Sequence, residues 1–140
     1  MAGSKLIAKA VVLDEAGNAL LLRRAQNHPL VPLKPDLPGG EVEPNETIAQ
    51  GVVRELLEET ALQADLATCT LLYSVTKWEH DTAIIRVLCR LRVQGVTPEV
   101  MPSDEHDAAY EWLPVDELVQ KHEHAVYREA ILFAREHGLL

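Results

Sequence analysis

The chain has 140 residues, 47% of them hydrophobic, which is about one domain's length with enough apolar material for a buried core. A formal net charge of −9 argues against a protein that grips duplex nucleic acid through a broad basic surface. It leaves phosphate ligands open, because carboxylates that collect divalent cations reverse the local sign of the charge. Cys69 and Cys89 form no Cys-x-x-Cys pair, the first residues lack the apolar segment of a signal peptide, and no apolar run approaches the ~20 residues of a membrane span. The expectation is core thiols in a cytoplasmic protein with no membrane contact.

In chain order, Leu6 to Leu13 and Ala19 to Arg24 are aliphatic and β-branched around a polar Asp14 to Asn18 turn, which predicts a hairpin. Gln26 to Pro38 carries four prolines and reads as an ordered loop, and Gly39-Gly40 follows, where the chain can take backbone angles closed to other residues. Asn45 to Thr60 is the clearest helix. Asn45 serves as its N-cap, Glu46 suits the positive end of the dipole, and Ile48, Val52 and Leu56 with Ala49, Val53 and Leu57 make its apolar face. Two strands follow. In Leu66 to Trp78 the buried face takes Ala67, Cys69, Leu71, Tyr73 and Val75; in Thr82 to Val93, Ile85, Val87, Cys89 and Leu91 oppose Arg86, Arg90 and Arg92. Gln94 to Glu111 reads as a surface loop, Tyr110 to Leu113 as a short strand before Pro114, and Ala125 to His137 as a helix packed on the sheet. With no internal repeat or long linker, residues 1–140 read as a single domain.

The helix carries the chemical signal. At 100° per residue Glu55, Glu58 and Glu59 share one patch beside the apolar stripe. Like charges at this spacing repel by some tenths of a kcal/mol per pair, roughly, and a hard divalent cation relieves them. Arg54 can orient a neighbouring carboxylate through its forked donors. Gly51, on the acid face, costs the helix up to about 1 kcal/mol relative to alanine, which implies space kept for a ligand or an adjoining loop.

From Gly40 to Leu62 the residues follow the spacing Gly, five residues, Glu46, seven residues, Arg54-Glu55, then Glu58-Glu59, and this resembles the Nudix box. If each of the six fixed positions is given roughly 6% usage, a chance match has odds on the order of one in 10⁵. Leu37-Pro38-Gly39 resembles the lead-in, and the stretch from Glu105 to Pro114 the closing loop and strand. Ala61 departs from the pattern, standing where the family has glycine. Either Ala61 is strained in a left-handed conformation or the helix ends differently.

The resemblance implies an α+β fold, the Nudix α/β/α sandwich with a central mixed sheet, and a Mg²⁺-dependent hydrolase, with Mn²⁺ as the other ion. Water would attack a phosphoanhydride bond of a nucleoside diphosphate derivative. It implies metal ligation by Glu58 and Glu59 with the Gly40 carbonyl, Glu55 as ligand or base, and Arg54 as the orienting residue. Glu46 takes a structural role. A further acid comes from the late loop, with Glu105 first and Asp104 and Asp107 as rivals. For substrate, Arg23 is the first phosphate contact, with Arg24, Lys34 and Arg86 as others, and Trp78 is the residue to stack on a base. Substrate signatures are weak: Lys77-Trp78-Glu79 lacks the proline or tyrosine of enzymes for ADP-ribose or diadenosine polyphosphates. A compact chain of this kind is similar to enzymes that cut a (deoxy)nucleoside triphosphate to monophosphate and pyrophosphate. ADP-ribose, nucleotide sugars, dinucleotide polyphosphates, a non-catalytic nucleotide-binding module and a homodimer stay open. An isopentenyl diphosphate isomerase is disfavoured because its cysteine motif is not placed.

Overall fold

The computed structural model describes residues 3–102, 109–121 and 124–140. Among these are seven strands, β1 (Gly3–Leu13), β2 (Ala19–Arg23), β3 (Pro35–Asp36), β4 (Gly39–Glu41), β5 (Thr70–Glu79), β6 (Thr82–Arg92) and β7 (Ala109–Leu113). Three helices accompany them: α1 (Ile48–Thr60), α2 (Val115–Lys121) and α3 (Ala125–Glu136). The strands form one sheet in the order β3-β2-β1-β6-β5, with β4 added to β1 and β7 to β2. β1 and β6 run parallel, from Gly3 opposite Thr82 to Leu13 opposite Arg92. The other pairings are antiparallel, so the sheet is mixed.

Alternation along the strands divides the core into two layers. Ala8, Ala10 and Val12 of β1 pack with Val52 and Leu56 of α1, whereas Val11 and Leu13 pack with Leu118 of α2 and Ile131 of α3. The result is an α/β/α sandwich. Ala19 to Leu22 of β2 are all 0% exposed. That explains their unbroken aliphatic run, because an inner strand covered on both faces has no polar side to display.

Several elements differ from the sequence expectation for identifiable reasons. α1 is capped by Thr47, whose hydroxyl accepts from the Gln50 N–H at 3.1 Å while the Gln50 side chain accepts from the Thr47 N–H at 2.8 Å. This reciprocal cap displaces Asn45, which has φ 68° and turns the chain into the helix. Leu57 is exposed, and Glu59 and Thr60 complete the buried face in its place. The stretch before β5 is a 3-10 turn, Leu66–Thr68, because the Asp65 carboxylate accepts from the Ala67 N–H at 2.9 Å.

Within β5 the register shifts between Leu71 and Tyr73. This bulge reverses the local inside-outside order, leaving Leu71 60% exposed and Leu72 only 5%. The proline-rich loop contains the edge strand β3, where Pro35 loses nothing by having no N–H. Gly39-Gly40 lie in β4, and Gly39 takes a positive φ of 134°. α2, directly after Pro114, was not anticipated; Asp116 and Glu117 occupy its first turn and Lys121 its last, in the order its dipole favours.

Ala61 takes the strained alternative. Its φ of 63° and ψ of 7° are left-handed, and its N–H closes the helix on the Leu57 carbonyl at 2.9 Å. Met101 N–H then donates to the Thr60 carbonyl at 3.0 Å.

Two measurements check this description. In urea denaturation, Leu72→Ala is expected to cost about 2–5 kcal/mol and Leu71→Ala no more than about 0.5 kcal/mol, the reverse of simple alternation. Ala61→Gly is expected to raise stability by about 1 kcal/mol, since glycine takes positive φ without the Cβ conflict; a loss would remove the strain argument.

Candidate active site

The site is built where β4 is squeezed between β1 and α1. Gly39 has φ 134°, and a Cβ there would lie 2.1 Å from the Ala8 carbonyl oxygen, so only glycine lets this strand approach β1. Both polar atoms of Gly39 are bound to side chains: its N–H donates to Glu59 Oε1 at 2.8 Å, and its carbonyl accepts from Lys9 Nζ at 3.0 Å. Glu59 is 4% exposed and Lys9 7%. At Gly40 a Cβ would meet the Glu55 carboxylate at 3.0–3.4 Å, so the missing side chain is what admits Glu55 against the strand.

Arg54 organises the acids. Its Nε and Nη2 hold Glu46 in a two-pronged bond of 3.1 and 2.8 Å, and its Nη1 donates to Glu55 at 3.1 Å and to Glu58 at 3.2 Å. Nη2 also donates to the Glu41 carbonyl at 3.3 Å. These bonds from Arg54, with one from the Glu43 N–H, lower the Glu46 carboxyl from 4.5 to about 2, and they raise the guanidinium in turn. Gly51 finds its reason here: a Cβ would stand 3.0 Å from Glu46 Oε1 and 3.3 Å from Val42 Cγ2. The space it keeps belongs to the adjoining loop.

Glu55, Glu58 and Glu59 are therefore not equivalent. Glu55 and Glu58 converge on one nitrogen of Arg54, with side chains 21% and 58% exposed, whereas the buried Glu59 faces the β4 backbone. Among the described residues no three acidic, histidine or cysteine side chains already meet at one point. A cation at this patch would compete with Arg54 for Glu55 and Glu58. The donor set fits a hard divalent ion such as Mg²⁺: carboxylate oxygens together with the Gly40 backbone, in a cradle that a Cβ at position 40 would fill.

A cleft of about 820 Å³ opens from Gly40 across the opposite sheet face. Of the anticipated substrate residues, Lys34 lines it, as do Arg24 and Arg86. Arg23 is not part of its lining; its guanidinium lies 3.6 Å from Glu111 and 3.4 Å from the Leu33 carbonyl. Trp78 is 65% exposed and pairs with Ala83, which puts it on the sheet face away from the cleft. Glu105, Asp104 and Asp107 lie outside the described residues. The sequence reading missed Lys9 and Asp36, which meet at 3.2 Å, with Arg24 reaching the same carboxylate at 2.9 Å. One signal was present: a lysine within the apolar run of β1 demands a buried partner.

Comparison with known proteins agrees with this architecture. The NUDIX domain profile matches residues 4–133. A MutT-like protein of Streptomyces ambofaciens is 32% identical over 111 residues, 79% of this chain and 64% of that protein. An 8-oxo-dGTP diphosphatase of Proteus vulgaris is 30% identical over 107 residues, 61% of this chain and 88% of that protein. The crystal structure of the MutT protein from Methanosarcina mazei Go1 is 28% identical with a TM-score of 0.74, covering 97% of this chain and 96% of that one. This chain spans less than two thirds of the length of three of the curated relatives it matches. Among the described residues no helix is long and apolar enough to cross a membrane.

The Arg54–Glu46 pair sets a pH dependence. Glu46 stays ionised in the folded chain at a pH where the unfolded chain protonates it, so its contribution is complete above pH 4.5 and lost as pH falls towards about 2. Urea midpoints followed through that window should fall further for the wild type than for Glu46→Gln. Parallel curves would refute the coupling.

Proposed function

The chain belongs to the NUDIX, or MutT-like, hydrolase family, and from that premise we propose that it hydrolyses a phosphoanhydride bond of a nucleoside diphosphate derivative. The first candidate is a (deoxy)nucleoside triphosphate cut to monophosphate and pyrophosphate. One observation carries the reading: Arg54 gathers Glu55 and Glu58 beside Gly40, while Glu59 is tied to the same β4 strand through Gly39. The names of the Streptomyces and Proteus relatives support it.

In this reading Glu58, Glu59 and the Gly40 carbonyl hold Mg²⁺, or Mn²⁺, which when bound neutralises phosphoryl charge and acidifies water. Glu55, pressed against Gly40, accepts the proton of the attacking water on its carboxylate. Arg54 keeps Glu55 and Glu58 oriented, and Glu46 fixes Arg54 from behind. Lys34 meets substrate phosphate from the cleft wall, and Arg23, bonded to the Leu33 carbonyl, steadies the loop that carries Lys34. Glu105 is retained as the late-loop acid. The chain works as one domain.

The test is Mg²⁺-dependent release of phosphate or pyrophosphate from a panel of nucleoside triphosphates, ADP-ribose, nucleotide sugars and dinucleotide polyphosphates. Glu59→Gln keeps an oxygen for the Gly39 N–H but loses the charge, and turnover should drop by at least about 10²-fold. Undiminished turnover by that variant in excess chelator would sink the metal-carboxylate mechanism. Nucleotide binding without turnover across the panel would favour a binding module.

A further inference from the structure

Between Pro38 and Val42 the chain holds β1 by alternate bonds: Ala10 N–H donates to the Pro38 carbonyl and Val42 N–H to the Leu6 carbonyl, each at 2.9 Å. Gly39, opposite Lys9, falls between them, so its own N–H and carbonyl turn away from the β1 backbone. Glu59 takes that N–H at 2.8 Å, and Lys9 takes the carbonyl at 3.0 Å. Lys9 stands in an otherwise aliphatic run and is 7% exposed. Strand alternation places it on the sheet face opposite to Ala8, Ala10 and α1, so Lys9 and Glu59 reach one residue from the two faces of the sheet.

The Gly39 carbonyl and the Gly40 N–H are the two ends of one peptide unit. With a glycine on either side, that unit has no Cβ to resist rotation about its flanking bonds, and such a rotation would exchange the directions of its carbonyl and its N–H. An ammonium group donates and accepts nothing, so beside Lys9 the unit is held with its carbonyl towards the lysine. Turned over, it would press an N–H against a buried cation. Asp36, 3.2 Å from Lys9 Nζ, keeps that cation in place. Two features of the acid site depend on the orientation. The path of the chain into Gly40 sets the cradle in which a Cβ would meet the Glu55 carboxylate at 3.0–3.4 Å, and the N–H of the same Gly39 anchors Glu59.

We propose that Lys9 is a positioning residue for the metal site. From the far face of the sheet it locks the Gly39–Gly40 peptide, and through that peptide it sets the Gly40 backbone and the Glu59 carboxylate for a divalent cation. The proposal rests on the hydrolase reading for where the cation lies. It assigns the lysine a role that its charge opposes, since a positive group near a cation site weakens binding there.

The test reads metal binding without turnover. Mn²⁺ is titrated against the nucleotide-free chain and followed by electron paramagnetic resonance, for the wild type and for Lys9→Met, which nearly keeps the length of the side chain and loses its charge and donors. Removal of a nearby positive charge would by itself tighten Mn²⁺ binding, whereas a slackened Gly39–Gly40 peptide should weaken it by at least about 10-fold. Equal or tighter binding by Lys9→Met would overturn the proposal. Leu72→Ala, in the core layer of α2 and α3, should keep the wild-type affinity; a loss equal to that of Lys9→Met would reduce Lys9 to general stability and overturn the proposal as well. Circular dichroism checks the fold. If Lys9→Met does not fold, Lys9→Met/Asp36→Asn, which leaves no carboxylate facing the lost ammonium, is measured in its place with the same expectation, and wild-type affinity there would be equally fatal. Wild-type Mn²⁺ binding that Glu58→Gln leaves unchanged would remove the metal site and the proposal with it. Weakened binding by Lys9→Met, with no turnover of any nucleotide by the wild type, would uphold the positioning role and overturn the hydrolase reading instead.

Discussion

Gly39 is clamped from both sides, and the geometry of the site follows from that clamp. Its N–H is held by Glu59 of α1 and its carbonyl by Lys9 of β1, so one residue links the acidic helix to the centre of the sheet. Glu59 and Lys9 are both buried, where an ionised group without partners would cost several kcal/mol, roughly. Each is satisfied by the other's neighbour: Glu59 by the amide of Gly39, Lys9 by its carbonyl and by Asp36. The glycine is required because any Cβ would collide with β1.

Around that clamp the charges are sorted by sheet face. Glu55 and Glu58 of α1, with Glu46 just before it, gather on one side around Arg54 as their shared counterion, and the cations of the cleft gather on the other, with Asp36 and Glu41 among them. The two territories meet at Gly40, whose missing side chain admits Glu55 from behind while the cleft begins in front. A diphosphate at this edge would have the carboxylates of Glu55 and Glu58 on one side and the cations of the cleft on the other. An acidic protein can in this way handle a polyanion without a broad basic surface.

The end of α1 shows a local cost accepted for a tertiary fit. The left-handed Ala61 lets the helix stop at once, so that the Thr60 carbonyl meets Met101 N–H and Leu62 folds back onto the α1-side core. Thr60 Oγ1 reinforces the stop by donating to the Leu56 carbonyl at 2.6 Å and accepting from the Leu62 N–H at 3.1 Å. A penalty of about 1–2 kcal/mol for an L-residue in this region is within what such contacts offset.

The sequence by itself determined the acidic helix, the Arg54-Glu55 and Glu58-Glu59 spacing, the β1–β2 hairpin and the family resemblance, because these depend on residues within a few turns of one another. Periodicity misjudged β5, since a bulge inverts alternation without leaving a compositional mark, and it misplaced the start of α1, where Thr47 and Gln50 cap each other and Asn45 does not. What only the tertiary structure decided is which charges meet. Lys9 and Asp36 are 27 residues apart, and Lys9 and Gly39 are 30 apart. Their contact is set by the register of β4 on β1 and of β3 on β2, long-range pairings that no local pattern encodes. The register of β7 on β2 leaves Arg23 beside Glu111, that of β5 on β6 turns Trp78 away from the cleft, and Lys34, next to β3, lines it. Spacing along one helix is fixed by covalent geometry, whereas the facing of one strand towards another is fixed only when the whole sheet closes.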